Sequence, residues 1–473
     1  FFFKQKTAYE IYQCDWSSDV CSSDLSHDSR RWEARRDQWE PSGCAHRHTL
    51  GLAAELRRPR ALIVPSGSEL VRGDRLDRNG PYLAASLVRL GVDVAGIRLV
   101  GDGEEDLRRA IRDGLEFEIL VVTGGLGPTH DDRTMALLAE AAGVPLELNP
   151  TLEGEIAAVS RAIAARLGRP YADFQEGVRK QATIPAGAEI VGLAGTAPSV
   201  ALRTPRGVAV TLPGPPAEVL ALWPKATETA AFRAALGSTV APARSSFRFF
   251  GVSESAVAQA LAAAGGEPEG IEVTICAREF EIHVDLLVSA HALEASAAFE
   301  QAFIEPIAEH LYGTGEASVE ERVLDACGAA GWTLGTAESC TGGLVASRLT
   351  AIPGSSSAFV GSIVSYANEV KEHTLGVASS LLAERGAVSR EVAEAMARGA
   401  RTALACDVAI AITGIAGPGG GTPEKPVGTV FIHVQTPTRS EGISLGIMGS
   451  RDVVRARATT AALHLARRLV TEI

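Results

Sequence analysis

The sequence predicts an α/β protein built from two three-layer α/β/α domains with a small α+β module between them. Three observations predict it. From Arg60, and again from about residue 318, short β-branched runs alternate with amphipathic stretches, the rhythm of a mainly parallel sheet covered on both faces. Several of those runs end in Gly-, Ser- or Thr-rich turns, where open α/β sheets carry ligands. At 473 residues the chain is also long for one domain, so two or three are expected.

In chain order, Ala61–Val64 is a buried-strand run, and Pro81–Gly91 is helical with Leu83, Leu87 and Leu90 on one face. Val92–Ile97 reads as a strand, Glu104–Leu115 as an amphipathic helix and Glu118–Thr123 as a strand ending in glycines. Arg133–Ala142 is a helix closed by Gly143, and this unit closes near Leu222-Trp223-Pro224. Phe247–Phe250, Ile271–Ile275 and the alternating Glu281–Val288 read as strands, followed by a helix over Leu293–His310. Tyr312-Gly313-Thr314-Gly315 reads as a linker. Val319–Ala330 is then helical, and Trp332–Leu334 leads into the turn Thr336-Ala337-Glu338-Ser339-Cys340-Thr341-Gly342-Gly343. Phe359–Tyr366, Asp407–Thr413 and Val427–Val434 read as strands; Glu391–Leu404, capped by Ser389, and about Val453–Leu469 read as helices. The domains expected are 59–228, 240–314 and 318–473.

Residues 1–58 do not match the rest and read as an artefactual or disordered leader. They lack a basic segment followed by an apolar one, and residues 1–25 resemble translated sequencing-adapter read-through. A net charge of −12 argues against a sequence-independent nucleic-acid surface, and no run of about 18 apolar residues predicts a membrane span. Beyond the leader, Cys276, Cys327, Cys340 and Cys406 have no paired spacing, which points to a reducing, cytoplasmic setting rather than a disulfide framework or zinc site.

The turn at 336–343 has the order strand, tight turn, helix start, which exposes a nucleophile beside free N–H groups. Ser339 is a candidate nucleophile, with Cys340 its rival; Ser339 or Thr341 serving as a helix cap is the plain alternative. A serine needs a group to take its proton. No histidine or aspartate sits in a recognisable triad motif, but Lys371, five residues beyond Tyr366, starts the helix after a strand end and could serve if desolvated. A third strand ends at Thr413 before the glycine loop 414–421. In the other half, Val122–Asp132 places Gly124, Gly125 and Gly127 after a strand, where a backbone can approach phosphates. Asp131 and Asp132 there either hold a divalent cation or satisfy a helix start.

Thr336–Gly343, Gly361–Asn368, Gly386–Ser389, Thr413–Gly421 and Lys425–Val430 closely resemble the nicotinamide-nucleotide amidase domain, the C-terminal part of the competence/damage-inducible CinA family. The resemblance covers residues 318–473 and implies hydrolysis of nicotinamide mononucleotide to nicotinate mononucleotide and ammonia, without a cofactor. It implies Ser339 as nucleophile, Lys371 and Tyr366 as base and proton relay, and Thr413 with N–H groups around Gly342 and Gly414 at the oxyanion. Glu338, Cys340, Thr341, Gly343 and Asn368 would line the substrate, with Arg451 at its phosphate.

Gly67–Leu70, Asp77–Asn79, Gly101-Asp102, Gly124–Thr129 and Leu212–Pro216 resemble the N-terminal domain of the same family, which is similar to the molybdopterin-binding fold. That implies a metal-dependent ADP-ribose pyrophosphatase in which Glu69, Gly124, Gly125, Gly127 and Thr129 meet the nucleotide and Asp102 and Asp132 hold a magnesium-like ion. Where the family usually has an asparagine, Gly192 stands nearest, and Ser199 stands where glycine is common. Residues 245–312 resemble a KH-type module, but no Lys/Arg-bearing G-x-x-G loop is visible, so nucleic acid is not expected as a partner. The partners expected are the two nucleotide substrates and, as the family resemblance implies, a second copy of the chain.

Overall fold

The computed structural model describes residues 58–471, so the leader reading lies outside the described residues except for Arg58. The described chain divides into two compact units, 58–243 and 244–471.

The first unit holds strands β1 (Arg60–Pro65), β2 (Asp93–Ile97), β3 (Ile119–Thr123), β4 (Leu146–Leu148), β5 (Thr183–Pro185), β6 (Glu189–Leu193), β7 (Pro198–Arg203) and β8 (Val208–Leu212). Its main sheet runs β2-β1-β3-β8-β7-β6; the first four are mutually parallel and the last two antiparallel additions, while β4 and β5 pair separately. The central strands β1, β3 and β8 are apolar and buried on both faces. One face packs against helices α1 (Asn79–Arg89) and α5 (Pro216–Glu228), and the other against α2 (Glu104–Gly114) and α3 (Thr134–Ala142); α4 (Pro150–Leu167) has its own small core. The unit does not close at Pro224: α5 carries that proline inside it, and a further helix follows at Ala230–Leu236.

The second unit begins with a four-stranded sheet of β9 (Ala243–Phe249), β10 (Ile271–Arg278), β11 (Glu281–Val288) and β12 (Leu311–Thr314). The expected linker at 312–315 is therefore mostly strand: Leu311 and Thr314 pair with Phe249 and Phe247. Local sequence hid it because the strand contains Gly313, is followed by Gly315 and gains its order from a partner over sixty residues away. The helix begun at Leu293 ends at Ile304 and continues as a 3₁₀ segment to His310.

The same unit then forms a five-stranded sheet, β14-β13-β15-β16-β17, from β13 (Leu334–Glu338), β14 (Phe359–Val364), β15 (Val408–Gly414), β16 (Thr429–Gln435) and β17 (Ser440–Gly446). The first three are parallel; β16 and β17 add antiparallel. One face carries α6 (Val319–Ala330), α7 (Leu344–Thr350) and α9 (Arg451–Thr471), and the other carries α8 (Arg390–Leu404). In α8, Val392, Met396, Ala397 and Ala400 are buried, the spacing of one helical stripe. From Ala458 to Ala466 α9 is buried on all sides, because the sheet covers one flank and the small module the other: Thr460 donates to the Glu279 carbonyl and His464 bonds Glu281. Among the described residues no helix is long and apolar enough to cross a membrane.

Candidate active site

Strand register brings the C-terminal candidates level. Glu338 ends β13 and pairs with Val364 on one side and Ile412 on the other. The residues just past those pairs are Ser339, Ser365 and Thr413, at the carboxyl edge where parallel sheets place ligands. The strand itself runs further into the motif than expected, through Gly335-Thr336-Ala337-Glu338, all buried.

Ser339 is nearly buried, and Lys371, from the short helix Asn368–His373, places Nζ 3.2 Å from its Oγ. Lys371 is 1% exposed. Its other contacts are the main-chain carbonyls of Ser365 at 2.6 Å and Tyr366 at 3.3 Å. Burial pulls its pKa below the ordinary 10.5, with Cys340 acting in the opposite direction. A neutral amine has two N–H donors and one lone pair. Lys371 Nζ donates to Ser339 Oγ and to both carbonyls; as the free base it would keep the two carbonyl bonds and turn its lone pair to the Ser339 hydroxyl proton.

Glu338 is placed differently from the expectation. It is fully buried, so it does not line substrate; its carboxylate accepts from the N–H groups of Gly343, Val345 and Ala346. It therefore caps α7, and neither Ser339 nor Thr341 does; the position before α7 is Gly343, in the left-handed region at φ 93°. Gly342 also differs: its N–H donates to the Ser339 carbonyl at 3.1 Å and is not free for an oxyanion. The Thr413 hydroxyl gives its proton to the Ala387 carbonyl at 2.7 Å. Gly414 is sterically required, since a Cβ there would lie 2.9 Å from the Thr429 carbonyl oxygen and 3.1 Å from Cys340 Sγ.

Tyr366 is exposed, and its hydroxyl accepts from Arg451 at 2.8 Å; what it offers Lys371 is its main-chain carbonyl. Arg451 also donates to the Gly417 carbonyl at 2.9 Å. Asn368 is exposed at the start of its helix. Cys340 is buried, and burial pushes its thiol up to about 11, which suits a packed side chain rather than a rival nucleophile. Thr341 is fully buried with no partner for its hydroxyl. The run Gly442–Gly446 matches a serine-elbow spacing but lies inside β17, where Ser444 pairs with Phe431, so it presents no nucleophile. Sequence reading missed Arg455, which donates to the Thr341 carbonyl at 2.8 Å.

In the first unit a cleft of about 390 Å³ opens where β1 and β3 end, lined by Glu69, Asp102, Gly124, Gly125, Gly127 and Asp132 together with Asp131 and Glu218. Of the candidates there, Thr129 is not in its lining; its N–H and hydroxyl bond the Asp132 carboxylate. Gly124 sits at φ 98°, and a Cβ would lie 2.3 Å from the Ser66 carbonyl oxygen, so two strand ends approach each other closely only with glycine there. Asp102 accepts from the Ser68 N–H at 2.9 Å. Glu218, unanticipated from sequence, has its carboxyl raised by burial. The charged residues lining the cleft are five carboxylates and no cation. Among the described residues no three His, Cys, Asp or Glu converge as a ready metal cage. Carboxylate oxygens are the donor type a hard divalent ion takes, and a site short of three converging ligands would have to be completed by waters and the oxygens of a phosphate.

The model of the CinA C-terminal domain matches residues 316–470, and that of a probable molybdopterin binding domain matches residues 62–231. The chain is 39% identical over 431 residues to a CinA-like protein of Mycolicibacterium paratuberculosis, covering 87% of this chain and 99% of that one. It is 40% identical over the same length to a CinA-like protein of Mycobacterium avium, again covering 87% and 99%. A solved competence/damage inducible protein from Agrobacterium tumefaciens is 37% identical, covers 32% of this chain and 94% of its own, and superposes with a TM-score of 0.31. With similarity running through both units, this chain belongs to the CinA family.

Proposed function

We propose that residues 318–473 form a serine amidohydrolase that converts nicotinamide mononucleotide to nicotinate mononucleotide and ammonia. The observation that carries the reading is the buried Lys371 with its Nζ 3.2 Å from Ser339 Oγ. The substrate is what the resemblance to the nicotinamide-nucleotide amidases implies. Lys371 accepts the Ser339 proton as Oγ attacks the carboxamide carbon. The Gly342 and Gly343 N–H groups are engaged elsewhere, and those of Cys340 and Thr341 face the Cys340 sulfur, a weak acceptor that they would exchange for the oxyanion. Lys371 then protonates the departing nitrogen, ammonia leaves, and an acyl-serine remains. Water attacks that ester, its proton passes to Lys371, and the carboxylate product leaves as Ser339 regains its proton.

The cleft of the first unit we assign to ADP-ribose hydrolysis. Asp102 and Asp132 would hold a divalent cation, which when bound supplies the positive charge a diphosphate needs against five carboxylates. Gly124, Gly125 and Gly127 let the backbone approach the phosphates, and Glu69 stands at the rim. A pterin nucleotide is the second reading, favoured by the match to a probable molybdopterin binding domain.

The test is release of ammonia and nicotinate mononucleotide from nicotinamide mononucleotide by the chain lacking residues 1–57, with chelator throughout. Turnover lost in Ser339→Ala supports the amidase; no turnover from folded protein sinks it. ADP-ribose cleavage against binding of a pterin nucleotide separates the two readings of the cleft.

A further inference from the structure

Two arginines one turn apart open α9, and each places a guanidinium on the main-chain carbonyl of a glycine-rich loop. Arg451 holds Gly417, and Arg455 holds Thr341 across 114 residues of sequence. The second contact is unexplained by the chemistry above. The turn that carries Ser339 contains Gly342 at φ 63° and Gly343 at φ 93°, and glycine pairs of this kind cost the most entropy to fix.

Three ties hold that pair. Glu338 takes the Gly343 N–H, and the Ser339 carbonyl takes the Gly342 N–H. Both come from residues adjoining the turn. The third comes from α9: Arg455 Nη2 holds the Thr341 carbonyl, and a Cβ on Gly342 would lie 3.7 Å from that nitrogen. The Thr341–Gly342 peptide is thus fixed at both its C=O and its N–H. A peptide flanked by a left-handed glycine turns over readily once one end is released, and such a flip would swing the Thr341 carbonyl into the space beside Ser339. The Arg455 side chain has little else to do: its nearest carboxylate, Asp452, is almost fully exposed and 3.9 Å away.

We infer that Arg455 is a positioning residue for the amidase, locking the Thr341–Gly342 peptide so that the turn presents Ser339 and its neighbouring N–H groups in one conformation. This rests on the amidase reading. It differs from a substrate contact, because Arg455 acts on the turn and not on the nucleotide.

The experiment compares Arg455→Met, Arg455→Lys and the unmodified sequence in the full chain, with thermal melting to confirm folding. Ammonia release gives kcat and KM for nicotinamide mononucleotide. A second readout, independent of activity, is the rate at which iodoacetamide alkylates Cys340, followed by peptide mass spectrometry. Cys340 is 5% exposed in the closed turn, so its labelling reports the turn's opening. The expected result for Arg455→Met is a kcat lowered about 10- to 100-fold with KM within about 3-fold, Cys340 alkylated several-fold faster, and partial recovery in Arg455→Lys. A raised KM with unchanged kcat would overturn the inference in favour of a phosphate contact. Unchanged kcat and unchanged labelling would overturn it outright. If the unmodified chain releases no ammonia but Cys340 labelling still accelerates in Arg455→Met, the amidase reading falls and the locking role stands.

Discussion

The two sites of this chain solve opposite electrostatic problems. The C-terminal site buries a lysine beside a serine with carbonyls rather than a carboxylate around it, and that burial lowers the amine's pKa from its ordinary value. The N-terminal cleft is open and lined by five carboxylates with no cation among its lining residues. An anionic nucleotide meets repulsion there until positive charge arrives. On the proposed reading the first site needs no added ion, whereas the second would depend on what it binds. That contrast sets how each should respond to mutation, chelator and pH.

The largest expected effect is Ser339→Ala, which lowers ammonia release by about 10³-fold or more while leaving ADP-ribose cleavage by the same preparation intact. Parallel loss of both activities would end the two-site picture. Lys371→Arg should be nearly as damaging, because a guanidinium stays protonated and cannot accept the serine proton. In the unmodified chain kcat/KM for the amide should rise with pH through one ionisation below 10.5 and then flatten, since burial lowers the lysine pKa and so brings in the free base early. A profile that falls over this range contradicts the neutral-lysine assignment. Next, chelator or Asp102→Asn should cut ADP-ribose cleavage by about 10²-fold and leave the amidase untouched.

Smaller still is a stability effect at the small module. Burial alone would raise the Glu281 carboxyl, but hydrogen bonds from His283, His464 and Tyr312 outweigh it and hold it at about 2. Such a group contributes stability that is present above the ordinary 4.5 and is lost as pH falls through about 2. Glu281→Gln should therefore lower unfolding free energy by about 2–4 kcal/mol near neutral pH, with the gap closing across that acid window in chemical denaturation. The smallest change is Tyr366→Phe, which removes one exposed hydroxyl from Arg451 and should alter kcat less than about 10-fold.

How much was legible in the sequence follows the range of the forces involved. Ser339 and Thr413 could be placed at strand ends because a strand end is written locally, and Lys371 could be placed on the helix start that follows a third. The α/β class and most central strands were readable for the same reason. Arg455 was not, since its partner is 114 residues away and nothing near it marks an active-site role. Glu338 was misread as a substrate contact because a carboxylate beside a nucleophile looks functional; its assignment to three helix N–H groups appears only once α7 is placed. β12 and β17 are edge strands whose order comes from partners, so periodicity alone did not announce them.

The Glu338 carboxylate has a consequence for transplanting the catalytic turn. Residues 338–346 carry their own terminator: the acid at the end of the strand takes three N–H groups at the start of the helix that follows. A graft that copies Ser339–Gly343 into another strand–helix junction but leaves Glu338 behind would import three unsatisfied N–H groups into a buried corner. The turn and the acid that seats it are therefore one unit of nine residues, 338–346, and Lys371 must still be supplied to it from elsewhere in the fold.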